Sequence, residues 1–463
     1  MKRSRNRMLV LFSILMVAFL GLALYLTYFE VMKAPALRAH NLNPRNWVDE
    51  SQFGRGKFLD RNSQVLVDRV KEEDGTYTRY SKYPALYAHL IGYNSDTYGK
   101  SGLEKALNGS LLNLGQDNPI AELRGKVLNE GVGNDVQLTI DHDLQAYTYK
   151  LLKGKKGAAV AINPQTGEVL AMVSVPSFDP NKVDSSWNDL LETEGDVLVN
   201  RAINGRYTPG SVLKAVSAMA LLDAGKAESY EDKGKTVVSG YAIENYQGKA
   251  YGEIGLREAL IHSSNTYFAD LSQKAGPEAF GRVFDNFNFN KEIPFDLKVT
   301  SSRAPFKSGM DPTLLAANSF GQGEITLSPL HLAMAYGAIA NEGVMMTPTL
   351  VKSIISPNGG ILRDSKSKVL QNIDKDHARM VADYLHDTAQ ANGAQDQVSV
   401  PMAGKSGTAQ IAGSSTNALY CAFAPMDKPS IAICLVLEDD GRMGYQAAQP
   451  LVLSMLNYWF SRQ

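Results

Sequence analysis

Tyr207-Thr208-Pro209-Gly210-Ser211-Val212-Leu213-Lys214 runs directly into the apolar, alanine-rich stretch from Ala215 to Leu222. On a helix, residues three apart stack on one face, so Ser211 and Lys214 are neighbours. A neutral amine held there can take the hydroxyl proton, and a serine at a helix amino terminus gains from the macrodipole as negative charge develops. The pair therefore offers a nucleophile and its base. A second S-x-x-K, Ser365-Lys366-Ser367-Lys368, follows Arg363-Asp364 and lacks the apolar continuation, so it reads as a solvated surface turn.

Two further polar clusters lie downstream. Ser263-Ser264-Asn265 falls inside a stretch expected to be helical from Leu256 to Ala275, and supplies a hydroxyl and an amide that both donates and accepts. Ser186-Trp187-Asn188 and Ser415-Thr416-Asn417 share the S-x-N pattern, which is uninformative by itself. His262 adjoins Ser263, but adjacent helical residues do not face each other, so it is expected to be structural. Lys405-Ser406-Gly407-Thr408 opens a strand-like run to Ile411, and Gly407 is expected to let a substrate approach the backbone. Its decoy, Lys307-Ser308-Gly309, precedes Met310-Asp311-Pro312, and proline that close interrupts a strand ladder.

Working outward, Ala158 to Ile162, the turn Asn163-Pro164-Gln165-Thr166-Gly167 and Val169 to Val175 read as a buried β-hairpin. Helical stretches are expected over Ser211 to Ala224, Pro329 to Asn341 and Asp376 to Asn392. Strands are expected over Gly407 to Ile411, Ala418 to Ala424 and Ile431 to Leu437, with a closing helix from Gln449. Strand pair, central helices, three strands and a closing helix predict an α/β sandwich of about 300 residues. The polar, turn-rich stretch before it, with apolar runs at Val65 to Val67, Tyr87 to Ile91 and Val136 to Ile140, predicts a small strand-containing spacer.

The 463 residues are 44% hydrophobic and 21% charged, which excludes disorder as the main state. The formal charge of -1 lacks the positive bias of a nucleic-acid binder, so no nucleic-acid partner is expected. Lys2, Arg3, Arg5 and Arg7 precede an uncharged segment from Met8 to Phe29, which as a helix spans about 33 Å. The positive-inside rule then places residues 1–7 in the cytoplasm and everything after residue 29 outside. A cleaved signal peptide fits less well, because the apolar run exceeds the usual ~7–15 residues and no A-x-A-like site follows. Cys421 and Cys434 cannot form a cysteine-rich scaffold and the seven histidines never form H-x-x-x-H, so no metal or other cofactor is expected. The turn Met426-Asp427-Lys428-Pro429 is centred on the midpoint of the two cysteines, which predicts buried, free thiols on one face of a hairpin.

S-x-x-K, then S-x-N, then K-S-G, in that order along the chain, resemble the acyl-serine penicillin-recognising enzymes. The resemblance extends nearly end to end and is to the class B penicillin-binding proteins, most of all the small penicillin-binding protein A type. Asn43-Pro44-Arg45-Asn46, Arg55-Gly56-Lys57-Phe58-Leu59-Asp60-Arg61-Asn62, His89 to Tyr93 and Ser101-Gly102-Leu103-Glu104 look like the pedestal motifs of that class. Asp135 to Asp141, Gly321-Gln322-Gly323 and Ala340-Asn341-Glu342-Gly343 match as well. One departure is Leu419-Tyr420-Cys421-Ala422, where the family usually has Trp-Phe-x-Gly.

The resemblance implies a transmembrane anchor (8–29), an α+β pedestal (30–152) and a transpeptidase domain (153–463) of the penicillin-binding and serine β-lactamase-like fold, an antiparallel sheet flanked by helices plus an all-helical part. It also implies a peptidoglycan D,D-transpeptidase inhibited by β-lactams. Ser211 is then the nucleophile, Lys214 the base, Ser263 a proton relay, Asn265 the holder of the substrate amide and Lys405 a second cation. Ser406, Gly407 and Thr408 bind substrate, with the backbone N–H groups of Ser211 and Thr408 as oxyanion hole. The partners it implies are stem peptides of lipid II-derived strands, β-lactams, the membrane and a polytopic glycosyltransferase. Rival readings are a D,D-carboxypeptidase or β-lactamase of the same fold, and a non-catalytic β-lactam sensor or scaffold.

Overall fold

The computed structural model describes residues 2–33, 53–113, 132–410 and 415–463. Asn43 to Asn46 and Ile411 lie outside the described residues. Residues 1–54 and 71–78 form one compact unit, and residues 55–70 and 79–463 another. The first contains the helix Lys2–Tyr28, whose segment Val10–Tyr28 is long and apolar enough to cross a membrane. The side chains of Val10–Tyr28 are exposed.

The larger unit is built on a five-stranded antiparallel sheet, in the order Ala403–Gln410, Thr416–Ala424, Ile431–Leu437, Gly157–Ile162, Val169–Val175. Ala403–Gln410 is an edge, so one row of its backbone groups has no strand partner. Gly157–Ile162, Val169–Val175 and Ile431–Leu437 are buried along their whole length, because helices cover both faces. Tyr420, Ala422, Ile433 and Leu435 pack with the helices His142–Leu152 and Gln449–Phe460. Leu419, Cys421, Phe423, Cys434 and Val436 face the other core, with Pro329–Ala340 and Lys214–Asp223. The expected α/β architecture is present. Cys421 stands directly opposite Cys434, both free and buried, as the symmetric turn requires. Burial and the neighbouring Cys434 thiol push the Cys421 thiol up, keeping it protonated.

A second sheet departs from chain order. Its strands Asp135–Leu138 and Phe58–Leu59 run parallel, and Val351–Ile355, more than 200 residues downstream, pairs antiparallel with Asp135–Leu138. Ile361–Asp364 extends that edge, so the second S-x-x-K sits just beyond a hairpin, with Lys366 and Lys368 exposed. The apolar run from Tyr87 does not form a strand: Pro84–Tyr87 is a helical turn started by its proline.

The sequence motifs at Arg55 and Glu104 meet in a buried ion triad. The Arg55 guanidinium donates to Glu104 Oε2 at 2.8 Å and 3.0 Å, and Arg79 Nε donates to Oε1 at 2.6 Å. Glu104 is 1% exposed. Burial opposes its charge, but Arg79 and Arg55 outweigh burial and hold its pKa below the usual value. Its contribution is therefore complete above the ordinary glutamate pKa and disappears as pH falls through the lowered folded value. Glu104→Ala removes the buried carboxylate that Arg55 and Arg79 share and should cost about 3–5 kcal/mol, read as a fall in the urea unfolding midpoint at pH 7. An unchanged midpoint would show that the triad is not a fold determinant.

Candidate active site

Gly210–Leu213 is a 3-10 turn that leads into the helix Lys214–Asp223, placing Ser211 half-buried at the opening and Lys214 fully buried one turn on. Two glycines admit this turn. Gly210 has φ +58°, and a Cβ there would come 2.7 Å from the Thr408 carbonyl oxygen. Gly407 lies against the same turn, where a Cβ would meet the Pro209 carbonyl oxygen at 2.8 Å. The expectation that Gly407 makes room for a substrate is therefore revised: it makes room for the turn that carries Ser211. Sequence alone could not show this, because the two segments are almost 200 residues apart.

The stretch from Leu256 to Ala275 is not one helix. Leu256–His262 ends at Ser263, whose φ of 57° and ψ of 40° are left-handed, and Asn265–Ala275 restarts with Ser264 as N-cap. For a residue with a Cβ this conformation costs roughly 1–2 kcal/mol. The break turns both the Ser263 carbonyl and its hydroxyl toward Lys214. His262, the last residue of the first helix, stacks on Tyr251 with ring centroids 4.4 Å apart.

Lys214 Nζ lies 2.7 Å from the Ser263 carbonyl oxygen, 2.7 Å from Asn265 Oδ1, 3.0 Å from Ser211 Oγ and 3.2 Å from Ser263 Oγ. A neutral amine has two N–H bonds and one lone pair. The carbonyl and amide oxygens are pure acceptors and take the two N–H bonds, which leaves the lone pair for the Ser211 O–H. Burial, and then the charge of Lys405, depress the Lys214 pKa well below that of a free lysine, and Asp232 opposes them. Lys405, 2% exposed, donates to Ser263 Oγ at 3.0 Å and to the Ser406 carbonyl at 3.2 Å. Burial brings its pKa down to about 8, so it keeps its proton at neutral pH.

Ser211, Lys214, Ser263, Asn265 and Lys405 are thus joined by one hydrogen-bond chain. Ser406 and Thr408 share the opposite side of the edge strand from Lys405, both half-buried, and Thr408 Oγ1 accepts from Gly444 N at 3.0 Å. The decoys are not part of the site. Lys307 to Gly309 is an exposed turn, Ser186 caps back onto the Lys182 carbonyl, and Ser415 bonds Asp439. Gly444, which supports Thr408 from the turn before the last helix, carried no sequence signal. Across the strand pair Lys405 faces Cys421 and Ser406 faces Tyr420, so the departure from Trp-Phe-x-Gly packs directly behind the Lys405 strand.

Residues 157–457 match the family model of the penicillin binding protein transpeptidase domain, and residues 55–129 that of the penicillin binding protein A dimerisation domain. The chain is 30% identical over 475 residues to the peptidoglycan D,D-transpeptidase PbpA of Mycolicibacterium smegmatis, covering 95% of this chain and 94% of that protein. It is 31% identical over 457 residues to PbpA of Mycobacterium tuberculosis, covering 90% of each. The solved structure of penicillin-binding protein A from M. tuberculosis, as its ceftriaxone acyl-enzyme complex, superposes with a TM-score of 0.82 at 27% identity, covering 88% of this chain and 98% of that one.

Proposed function

The chain belongs to the penicillin-binding transpeptidase family, and from that premise we propose how its own residues carry the reaction. It is a serine-type peptidoglycan D,D-transpeptidase, a class B penicillin-binding protein that cross-links stem peptides through an acyl-serine intermediate and is inhibited by β-lactams.

The observation that carries the residue assignment is the buried Lys214 amine set between Ser211, Ser263 and Asn265, with Lys405 behind it. Ser211 Oγ attacks the carbonyl of the penultimate D-Ala while its proton passes to Lys214. The oxyanion is met by the backbone N–H groups of Ser211 and Thr408. As the intermediate collapses, the C–N bond breaks and the proton moves from Lys214 through Ser263 Oγ to the departing D-Ala amine. An amine of a neighbouring stem then attacks the ester, loses its proton along the same path and releases Ser211. Asn265 holds the substrate amide, and Ser406 and Thr408 hold the terminal carboxylate beside the open edge of the strand.

The division into an anchor (8–29), pedestal (30–152) and transpeptidase domain (153–463) belongs to the same proposal. The apolar helix supports membrane anchoring, and the four basic residues before it support a cytoplasmic amino terminus with the catalytic residues outside. A polytopic glycosyltransferase is the partner this arrangement calls for, because the cross-linker needs newly made strands.

A fluorescent penicillin should label Ser211 and no other serine, read by mass spectrometry of the labelled peptide; label on Ser365 would refute the assignment. With a thioester analogue of the stem, a D-amino acid should divert most of the acyl group to the amine product, because among the described residues no carboxylate is hydrogen-bonded to Ser211 to activate water. Hydrolysis indifferent to added amine would make the enzyme a carboxypeptidase.

A further inference from the structure

Between the Lys214 helix and Ser263 the chain makes an excursion of short strands, in which Tyr230–Asp232 pairs with Gly252–Ile254 and Lys235–Val238 with Tyr241–Glu244. In sequence, Glu231-Asp232-Lys233-Gly234 looks like an exposed charged turn. Glu231 and Lys233 do pair with each other in solvent, but Asp232 is 1% exposed and has no cation partner among the described residues. Its carboxylate is met by neutral donors. Oδ1 accepts from Gly234 N and Asn245 Nδ2, both at 2.8 Å, and Oδ2 accepts from Ser264 Oγ at 2.6 Å and Asn245 Nδ2 at 2.9 Å.

These bonds orient the polar turn of the active site. Because the carboxylate takes the Asn245 NH2 group, the Asn245 carbonyl must point the other way, where it accepts from Asn265 N at 2.8 Å and Thr266 N at 3.2 Å. Ser264 Oγ, while donating to Asp232, accepts from Tyr267 N at 3.1 Å. The first N–H groups of the Asn265–Ala275 helix are thereby satisfied, and the helix start is fixed at Asn265. That start aims Asn265 Oδ1 at Lys214 and keeps Ser263 in its left-handed conformation.

We propose that Asp232, acting through Asn245 and Ser264, is the positioning residue that holds the Ser263-Ser264-Asn265 turn against Lys214 and supplies the negative charge that opposes Lys405 there. It does not touch the reacting atoms. The inference rests on the reading of Ser211 and Lys214 as nucleophile and base. The charged groups acting on Lys214 are Lys405, from the edge strand, and Asp232, from this excursion; Ser211, Ser263, Asn265 and the Phe268 ring are its neutral neighbours.

The test compares the full chain with its Asp232→Asn and Ser264→Ala variants, measuring the second-order rate of penicillin acylation against pH together with the melting temperature. Asp232→Asn sets an amide against the Asn245 amide, which breaks the orientation. The rate should fall roughly tenfold to a hundredfold, the range spanned by a lost hydrogen bond to a charged group. Removing a negative charge also favours the neutral Lys214, so the acid limb of the profile should move to lower pH. Ser264→Ala removes one bond and no charge, and should slow acylation with the limb in place. A merely structural role predicts that the two variants share one acid limb, and that result overturns the proposal, as does Asp232→Asn reacting at the wild-type rate. If Asp232→Asn does not fold, Asp232→Glu replaces it: slowed acylation with an unmoved limb supports the proposal and a wild-type rate overturns it. Failure of the wild type itself to label at Ser211 would refute the underlying assignment instead.

Discussion

Lys214→Met should acylate with penicillin about a thousandfold more slowly than the wild type, on the scale of losing a general base that is also the first relay in proton transfer. Methionine matches the length and burial of the lysine stem, so the fold is not emptied of volume. The substitution removes the hydrogen bonds with the Ser263 carbonyl, Asn265 Oδ1, Ser211 Oγ and Ser263 Oγ, but it also removes an amine buried completely and beside a second cation. A lysine whose folded pKa lies below its unfolded one binds fewer protons folded than unfolded. It therefore lowers stability at neutral pH, and that penalty vanishes only above the unfolded lysine pKa. The two effects oppose each other, and the melting temperature should stay near that of the wild type. A variant that loses acylation and unfolds many degrees lower would make Lys214 a structural residue, and one that acylates normally would make another group the base. This site holds a functional group at the expense of local stability, as the left-handed Ser263 does.

Order along the chain and local periodicity make the sheet, the S-x-x-K helix and the cysteine register legible in the sequence. Cys421 and Cys434 were placed opposite each other by a symmetric turn, because hairpin register follows from turn position alone. What stayed hidden depends on contacts between distant segments. Val351–Ile355 joins Asp135–Leu138 through edge pairing that no local pattern encodes. The helix break at Ser263 departs from the single helix expected over Leu256 to Ala275, because its cap, Ser264, is satisfied by Asp232 from another strand pair. Gly407 was recognised as necessary for the wrong reason, since the backbone that crowds it belongs to Pro209. At each of these positions a local rule is overridden by a tertiary partner, and two of the three, Ser263 and Gly407, border the catalytic residues, where local strain is expected.

Lys405→Ala should slow acylation by about a hundredfold or more, whereas Lys307→Ala, in an exposed turn, should remain near the wild-type rate. The size of the effect follows from two roles. Lys405 donates to Ser263 Oγ, so its loss frees the hydroxyl that must relay the proton. Its charge is also one of the forces that lower the Lys214 pKa, second only to burial. The pH profile separates these roles. In the wild type the rate should rise through the depressed Lys214 pKa as the amine loses its proton, and fall again near pH 8 as Lys405 loses the charge the site needs. In Lys405→Ala the alkaline fall should disappear, because the group that causes it is gone. The acid limb should move to higher pH, because an opposing cation no longer disfavours protonated Lys214. The direction is opposite to that expected for Asp232→Asn, so the two variants bracket the wild type from either side. A uniform drop in rate with both limbs in place would mean that Lys405 binds substrate without tuning the base. Equal losses at Lys307 and Lys405 would mean that neither K-S-G sequence is read correctly.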